Sequence, residues 1–389
     1  MKVLILNDKF PPEVKGGADI MSWRFAQKLV RVGHQVSVFT TTDQKSREGI
    51  AEENSLKIYR LFYKFSSRWM AYAGLYNYKA VRKLKEIIKK EKPDLLWAHN
   101  VHCALSYACL RKAKKMGLPV VLSLHDSLTF CYKAFDCQIE YKHKPLKCLK
   151  CQRFRYFPLR NFLIRYFLTF VDKIIAVSHE HQKLLQANKV RCDTYIYNGV
   201  EPFKKAPKLD IKERVVFWGG RINKAGGIYQ IVQALQEIPN VILLVASKID
   251  KSSDALVQYS KEQGVKIKLL GWLDRNGMAS AYQSCDVAIC ASIAFETFGL
   301  IPLEAMANKK PAMATCFGGS KEVVTDGVTG YIFNPFNIPN FSKKIIKILN
   351  NQELAKQMGE AGYRKYKDKF TLDKVFNNYL DIFNQLLNL

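Results

Sequence analysis

The chain has 389 residues, 48% of them hydrophobic and 12% aromatic, which is ample for packed domains and excludes wholesale disorder. No run approaches 18 consecutive apolar residues, so a membrane-spanning helix is excluded and the chain reads as soluble or at most peripheral. The formal charge is +27, and it is uneven: residues 1–200 carry 36 basic and 16 acidic side chains, residues 201–389 carry 25 and 18. Such a first half attracts polyanions or anionic lipid, with a solvated basic face as the ordinary alternative.

In chain order, Met1–Leu6 is too short and too soon polar for a secretory signal, and Val3–Leu6 reads as a buried strand. Val36–Thr40, Leu95–His99, Val120–His125 and Ile174–Ser178 read the same way, with amphipathic helices at Ile20–Val32 and Tyr78–Lys90 between them. Turn and linker composition from Tyr197 to Lys208 places a boundary near residue 200. Val215–Trp218, Val241–Ala246, Ile267–Leu270, Val287–Ile289 and Pro311–Thr315 then repeat the alternation. The expectation is an α/β protein with two Rossmann-like, doubly wound parallel-sheet domains, 1–200 and 201–371, facing each other across a cleft. A final amphipathic helix, 372–389, is expected to pack back on the first domain.

Ten cysteines without an export signal argue for reduced thiols. Cys103, Cys109, Cys192, Cys285, Cys290 and Cys316 read as small core residues. Cys131, Cys137, Cys148 and Cys151 form a cluster in an insertion, 131–151, spaced C-x5-C-x10-C-x2-C. The closing pair has metal-knuckle spacing; a structural zinc, reduced core thiols and disulfide or redox chemistry are the readings it allows. Two stretches mix bases with aromatics, Arg60 to Tyr72 and Arg153 to Phe167. They suit a membrane interface, single-stranded nucleic acid, or an ordinary amphipathic face.

Ligands of open α/β sheets bind beyond the carboxyl ends of the strands, so strand-end residues are the candidates. Gly16-Gly17 leads from the first strand into a helix, where backbone amides meet an anion; GxGxxG and GxxxxGK[ST] patterns are both lacking there. Arg221 and Lys224, beside Gly219-Gly220 and Gly226-Gly227, suit a diphosphate. The run Phe295-Glu296-Thr297-Phe298-Gly299-Leu300-Ile301-Pro302-Leu303-Glu304 follows a strand and opens a helix near Gly299, with Pro302 in its first turn. A carboxylate accepts two hydrogen bonds, which suits the paired hydroxyls of a ribose or hexose. Glu304 within an apolar helix is costly to bury alone, so a ligand is its expected partner.

These residues resemble a retaining glycosyltransferase of family 4 with the GT-B fold. The matching pieces of its C-terminal half are Gly271-Trp272, Asp286-Val287, the Glu296/Glu304 pair, Glu304-Ala305-Met306-Ala307, Phe317-Gly318-Gly319, Glu322-Val323-Val324 and Asp326-Gly327-Val328-Thr329-Gly330. Gly16-Gly17, Asn198-Gly199-Val200 and Gly220-Arg221 extend the resemblance over nearly the whole chain. It implies that Glu304 binds the donor ribose, that Glu296 lies near the donor sugar, and that the Phe298, Gly299 and Leu300 backbone supports sugar and diphosphate. Arg221 then binds the diphosphate, Gly16 and Gly17 meet the phosphates, and His125 stands beside donor sugar and acceptor. The family's Lys before the glycine aligned with Gly227 is replaced by Gly226, and Lys224 is the nearest base.

The implied reaction moves a hexose-type sugar from a UDP-, GDP- or ADP-sugar to a glycan or lipid-linked acceptor, in surface polysaccharide or lipopolysaccharide synthesis. The implied location is cytoplasmic or peripheral on the inner face of the cytoplasmic membrane, an anionic surface, and no nucleic acid is expected. No Asp-x-Asp occurs to bridge a diphosphate through a metal, so no cofactor is required for catalysis. A GT-B nucleotide-sugar epimerase or hydrolase, and a non-catalytic zinc-containing nucleic-acid binder, are the alternatives.

Overall fold

A computed structural model describes residues 1–14, 16–64, 69–133 and 144–388. It divides into two compact units, one running to Ile196 and rejoined by Phe376–Leu389, the other Tyr197–Val375.

The first unit is built on β1 (Lys2–Leu6), β2 (Gln35–Thr42), β3 (Gly49–Glu53), β4 (Leu56–Phe62), β5 (Leu95–Ala98), β6 (Val120–Leu124), β7 (Lys173–Ala176) and β8 (Thr194–Tyr195). Their order is β3-β4-β2-β1-β5-β6-β7-β8, parallel throughout except for β3 against β4. Helical crossovers cover both faces of a parallel sheet, which is why β1, β5 and β6 are apolar and buried almost end to end. The last helix, Leu372–Leu387, contributes Tyr379 and Phe383 to this core, their rings 4.7 and 5.0 Å from that of Trp97.

The second unit holds β9 (Arg214–Gly219), β10 (Val241–Ala246), β11 (Lys266–Gly271), β12 (Val287–Cys290), β13 (Ala312–Thr315) and β14 (Gly330–Phe333). The order is β11-β10-β9-β12-β13-β14, all parallel. Strand order reverses direction between β1 and β5 in one unit and between β9 and β12 in the other, the points where such sheets open a crevice for ligands.

Three expectations need correction. The basic-aromatic stretch Arg60 to Tyr72 is not one helix face: residues 60–62 end strand β4, where Arg60 donates to the Pro11 carbonyl at 2.9 Å and pairs with Glu53 at 2.9 Å, Tyr72 lies on the short helix Met70–Ala73, and residues 65–68 lie outside the described residues. Cys103 and Cys316 are half-buried rather than core, unlike Cys109, Cys192, Cys285 and Cys290. The carboxyl-end residues His99, His125 and Ser178 fall just outside their strands, because the chain turns there to present polar side chains. Among the described residues no helix is long and apolar enough to cross a membrane.

Candidate active site

In the second unit three strand-end loops are tied together by backbone hydrogen bonds. After β9, Lys224–Gly226 forms a short 3-10 turn whose cap, Asn223, accepts the Gly226 amide at 2.9 Å. Gly227 follows with φ +70°, and a Cβ there would stand 1.8 Å from the Ala291 carbonyl oxygen, so only glycine lets this loop lie on the end of β12. The Ile293 amide closes the contact by donating to the Ala225 carbonyl at 2.9 Å. Arg221 and Lys224 are both exposed on this loop.

After β12 the chain reaches helix Leu300–Ala307, capped by Gly299 in the left-handed region. Its first-turn amides have no intrahelical partner, and the helix dipole favours negative charge there. Glu296 is held by its own backbone: its amide donates to the Phe317 carbonyl at 3.0 Å and its carbonyl accepts the Gly319 amide at 2.7 Å. Its carboxylate accepts Ser292 Oγ at 2.7 Å, with Cys290 Sγ at 3.8 Å. Burial and the Glu296 charge both push the Cys290 thiol upward, so it stays protonated.

Glu304 is 7% exposed, and its Oε2 accepts Tyr282 Oη at 3.1 Å. The structure thus supplies a protein donor for a burial that sequence reasoning assigned to a ligand. Phe298 turns its ring inward, 5.9 Å from Tyr197 and 6.2 Å from Phe370, so only its backbone serves the loop. Leu300 is half-buried.

In the first unit His125 follows β6 and is buried. Its Nε2 lies 2.9 Å from His99 Nδ1, the residue that follows β5. The next residue, Asp126, pairs with His102 Nε2 at 3.2 Å, and its carbonyl meets His181 Nε2 at 3.1 Å. Asp8, after β1, accepts the amides of Cys103, Ala104 and Leu105 at 2.7, 3.0 and 2.7 Å, which fixes the loop after β5. Burial is the main cause that lowers His125 and His181 to about 4, and it drives His99 well below the usual histidine range. These three imidazoles are neutral at neutral pH. Gly16 caps helix Gly17–Arg31 in extended conformation with open space around it. The first turn of that helix carries the buried carboxylate of Asp19, which accepts Asn7 Nδ2 at 2.9 Å.

Of the cysteine cluster, Cys137 lies outside the described residues. Cys148 packs with Ala71 and Tyr132, and Cys151 Sγ accepts Gln152 Nε2 at 3.3 Å. Among the described residues the group with metal-ligand proximity is Asp8, His102 and Cys103, not Cys131, Cys148 and Cys151. Residues that sequence reasoning missed are Asp8, His99, His102, His181, Tyr282 and Ser292. His99 follows directly on β5 and Asp8 stands two residues past β1, so both were open to the strand-end rule; the others come from helices and loops of their own units.

Two family models match the chain: one described as Glycosyltransferase Family 4 over residues 15–202, the other as Glycosyl transferases group 1 over residues 200–365. An uncharacterized glycosyltransferase of Methanocaldococcus jannaschii is 28% identical over 303 residues, covering 78% of each chain. Sucrose-phosphate synthase from Thermosynechococcus elongatus superposes with a TM-score of 0.80 at 19% identity, covering 100% of this chain and 99% of that one. Anabaena HepE, solved in complex with UDP-glucose, superposes with a TM-score of 0.74 at 20% identity, covering 99% and 100%. The two matches adjoin near residue 200, where the structure itself divides, and the chain belongs to the family 4 glycosyltransferases of GT-B fold.

Proposed function

We propose that the chain transfers a sugar, with retention of configuration, from a nucleotide-sugar donor to a glycan or lipid-linked acceptor in surface polysaccharide or lipopolysaccharide synthesis. The observation that carries this reading is the buried Glu304 carboxylate, oriented by Tyr282 in a helix whose start is a glycine cap. A buried charged group of this kind suits two hydroxyls of one ribose, because a carboxylate accepts two hydrogen bonds at once. The UDP-glucose held by HepE supports a nucleotide sugar as donor.

In this reading Arg221 and the amides at the start of helix Leu300–Ala307 take up the charge that develops on the departing diphosphate, with Lys224 as a second base. Glu296, steadied by Ser292, faces the sugar hydroxyls. His125 enters as a neutral imidazole and therefore orients donor sugar or acceptor by hydrogen bonding rather than by charge. In this reading no described side chain takes the part of a covalent nucleophile, and the acceptor attacks on the face that the diphosphate leaves. Trapping a glycosyl-enzyme adduct would contradict that course.

The test is a screen of UDP-, GDP- and ADP-sugars for nucleoside diphosphate release, with and without membrane extract as the source of acceptor. Release from one donor class that requires the extract supports transfer. Release without it identifies a hydrolase, and interconversion of the donor sugar an epimerase. Absence of calorimetric heat with every donor overturns the reading.

A further inference from the structure

The turn after β5 gathers a donor set that the transfer reaction does not use. One ligand atom each of Asp8, His102 and Cys103 lies within 4.8 Å of the others: a carboxylate oxygen, an imidazole nitrogen and a thiol sulfur. Asp8 is buried, and His102 and Cys103 are half-buried, which leaves solvent a way in. The turn is pinned on two sides. Gly74 packs so closely that a Cβ there would stand 1.9 Å from the His102 carbonyl oxygen, and Ser106 is held at φ +87°. Asp8 Oδ1 takes the amides of Ala104 and Leu105, while Oδ2 takes that of Cys103 alone and keeps a lone pair for a further partner.

A second carboxylate orients the imidazole. Asp126 Oδ2 meets His102 Nε2 at 3.2 Å, and Asp126 Oδ1 is itself fixed by the Leu128 amide at 2.8 Å. A carboxylate draws the imidazole proton to Nε2 and leaves the lone pair on Nδ1, the arrangement that stands behind metal-bound histidines. We propose that Asp8, His102 and Cys103 bind a zinc ion, with a water oxygen as the fourth ligand. Carboxylate and thiolate supply two negative charges, which one divalent ion cancels; Cys103 releases its proton to solvent as the zinc–sulfur bond forms. Nitrogen and sulfur donors disfavour magnesium and calcium, which take oxygen. Tetrahedral zinc keeps its donors about 3.5 Å apart, so the three draw together by about 1 Å on binding. The group follows β1 and β5, the strands between which the order of the first sheet reverses, so the exchangeable water offers a coordination position to an oxygen of a small ligand entering there. The rival is an imidazolium shared by the two carboxylates, with Cys103 a bystander. The inference goes beyond the proposed reaction and needs neither donor nor turnover.

The experiment titrates the full chain, stripped with chelator and kept reduced, with cobalt(II). A cobalt–thiolate bond absorbs in the near ultraviolet, and the visible bands of the ion are strong only in tetrahedral sites. Wild type is expected to bind about one equivalent with both signals, and zinc to displace them. Cys103→Ser is expected to abolish the near-ultraviolet band, with the melting temperature of the metal-free chain held. Asp126→Asn, which alters only the group behind His102, is expected to keep both signals and weaken affinity by about ten- to a hundredfold; it keeps the test informative if the first variant folds poorly. Cys148→Ser combined with Cys151→Ser is expected to change neither signal, which separates this site from the cysteine insertion. The imidazolium rival gives no thiolate absorption in wild type, and that result overturns the proposal. So does a band that survives in Cys103→Ser, a band lost only with Cys148 and Cys151, or an affinity that Asp126→Asn leaves unchanged.

Discussion

His99 Nδ1 stands 2.9 Å from His125 Nε2, while His99 Nε2 is buried with no hydrogen-bond partner among the described residues. A buried lone pair without a partner is better tolerated than a buried N–H in the same position. The proton of His99 therefore sits on Nδ1 and is donated to His125, which leaves His125 protonated at its own Nδ1. Nitrogen-15 spectra of the imidazoles should show His125 as the Nδ1–H tautomer. His99→Asn, whose amide donates from nearly the same place, should keep that tautomer and most of the turnover. His99→Leu should lose about 1–3 kcal/mol of stability by taking away the donor to His125 Nε2, and should lower kcat more than it raises KM. An Nε2–H tautomer in the wild type would sink the assignment.

The same burial sets a pH limit on the fold. His125 and His181 are lowered from 6.5 to about 4 in the folded chain, where Asp126 partly offsets the burial. The unfolded chain then binds more protons than the folded one across that interval, so stability rises with pH. It is fully present above about 6.5 and is lost progressively as pH falls towards about 4. Each histidine contributes at most about 3 kcal/mol, and because the two interact their effects do not add fully. Urea midpoints of the first unit's transition should fall over this range, and His181→Asn should flatten the slope. A midpoint independent of pH between these limits would show that the imidazoles are solvated.

Glu304 and Tyr282 make a second pair whose roles separate by measurement. Glu304→Ala should cost on the order of 2–4 kcal/mol of donor affinity, because it removes charge-assisted bonds from a buried carboxylate. Tyr282→Phe removes only the oxygen that holds the carboxylate at 3.1 Å, and should cost about 1 kcal/mol. If Tyr282 acts through Glu304, the double variant binds donor no worse than Glu304→Ala alone. Calorimetric titration of all three checks this, and wild-type affinity in Glu304→Ala would remove the ribose assignment.

Much of this architecture is legible in residue order. The apolar runs ending in polar residues mark most of the strands, and the final helix, Leu372–Leu387, is plain from its periodicity. The hairpin β3–β4 is not, since Gly49–Glu53 is a polar edge strand and its turn uses Asn54 and Ser55 at positive φ, without an Asn-Gly or Asp-Gly signal. The glycine-capped helix carrying Glu304 shows itself because a carboxylate amid Leu303, Ala305 and Met306 is anomalous. Its partner Tyr282 does not, because it arrives from a separate helix, Arg275–Ser284, and only tertiary packing brings it close. The imidazole network is hidden for the same reason: its members follow strands that are neighbours in the sheet and distant in the chain.

The loop that holds Glu296 leaves no room for a side chain at the glycine facing it. Gly318 has φ +94°, and a Cβ there would stand 2.1 Å from the Glu296 carbonyl oxygen. That oxygen is the one accepting the Gly319 amide at 2.7 Å, so a methyl group cannot enter without breaking the bridge between the two loops. Strained backbone and overpacking each cost about 1–3 kcal/mol, and Gly318→Ala should destabilise the second unit by roughly their sum, about 2–6 kcal/mol. Because the bridge sets the height of Glu296 above β12, the surviving folded fraction should bind the donor's nucleoside diphosphate nearly as wild type yet turn over the donor sugar slowly. Gly327→Ala is the control: it too has positive φ, +75°, but meets nothing within 4 Å. It should show the strain alone, with turnover intact. Equal loss of turnover in both variants would place the effect of Gly318 in general loop strain, and free Glu296 from the role given to it.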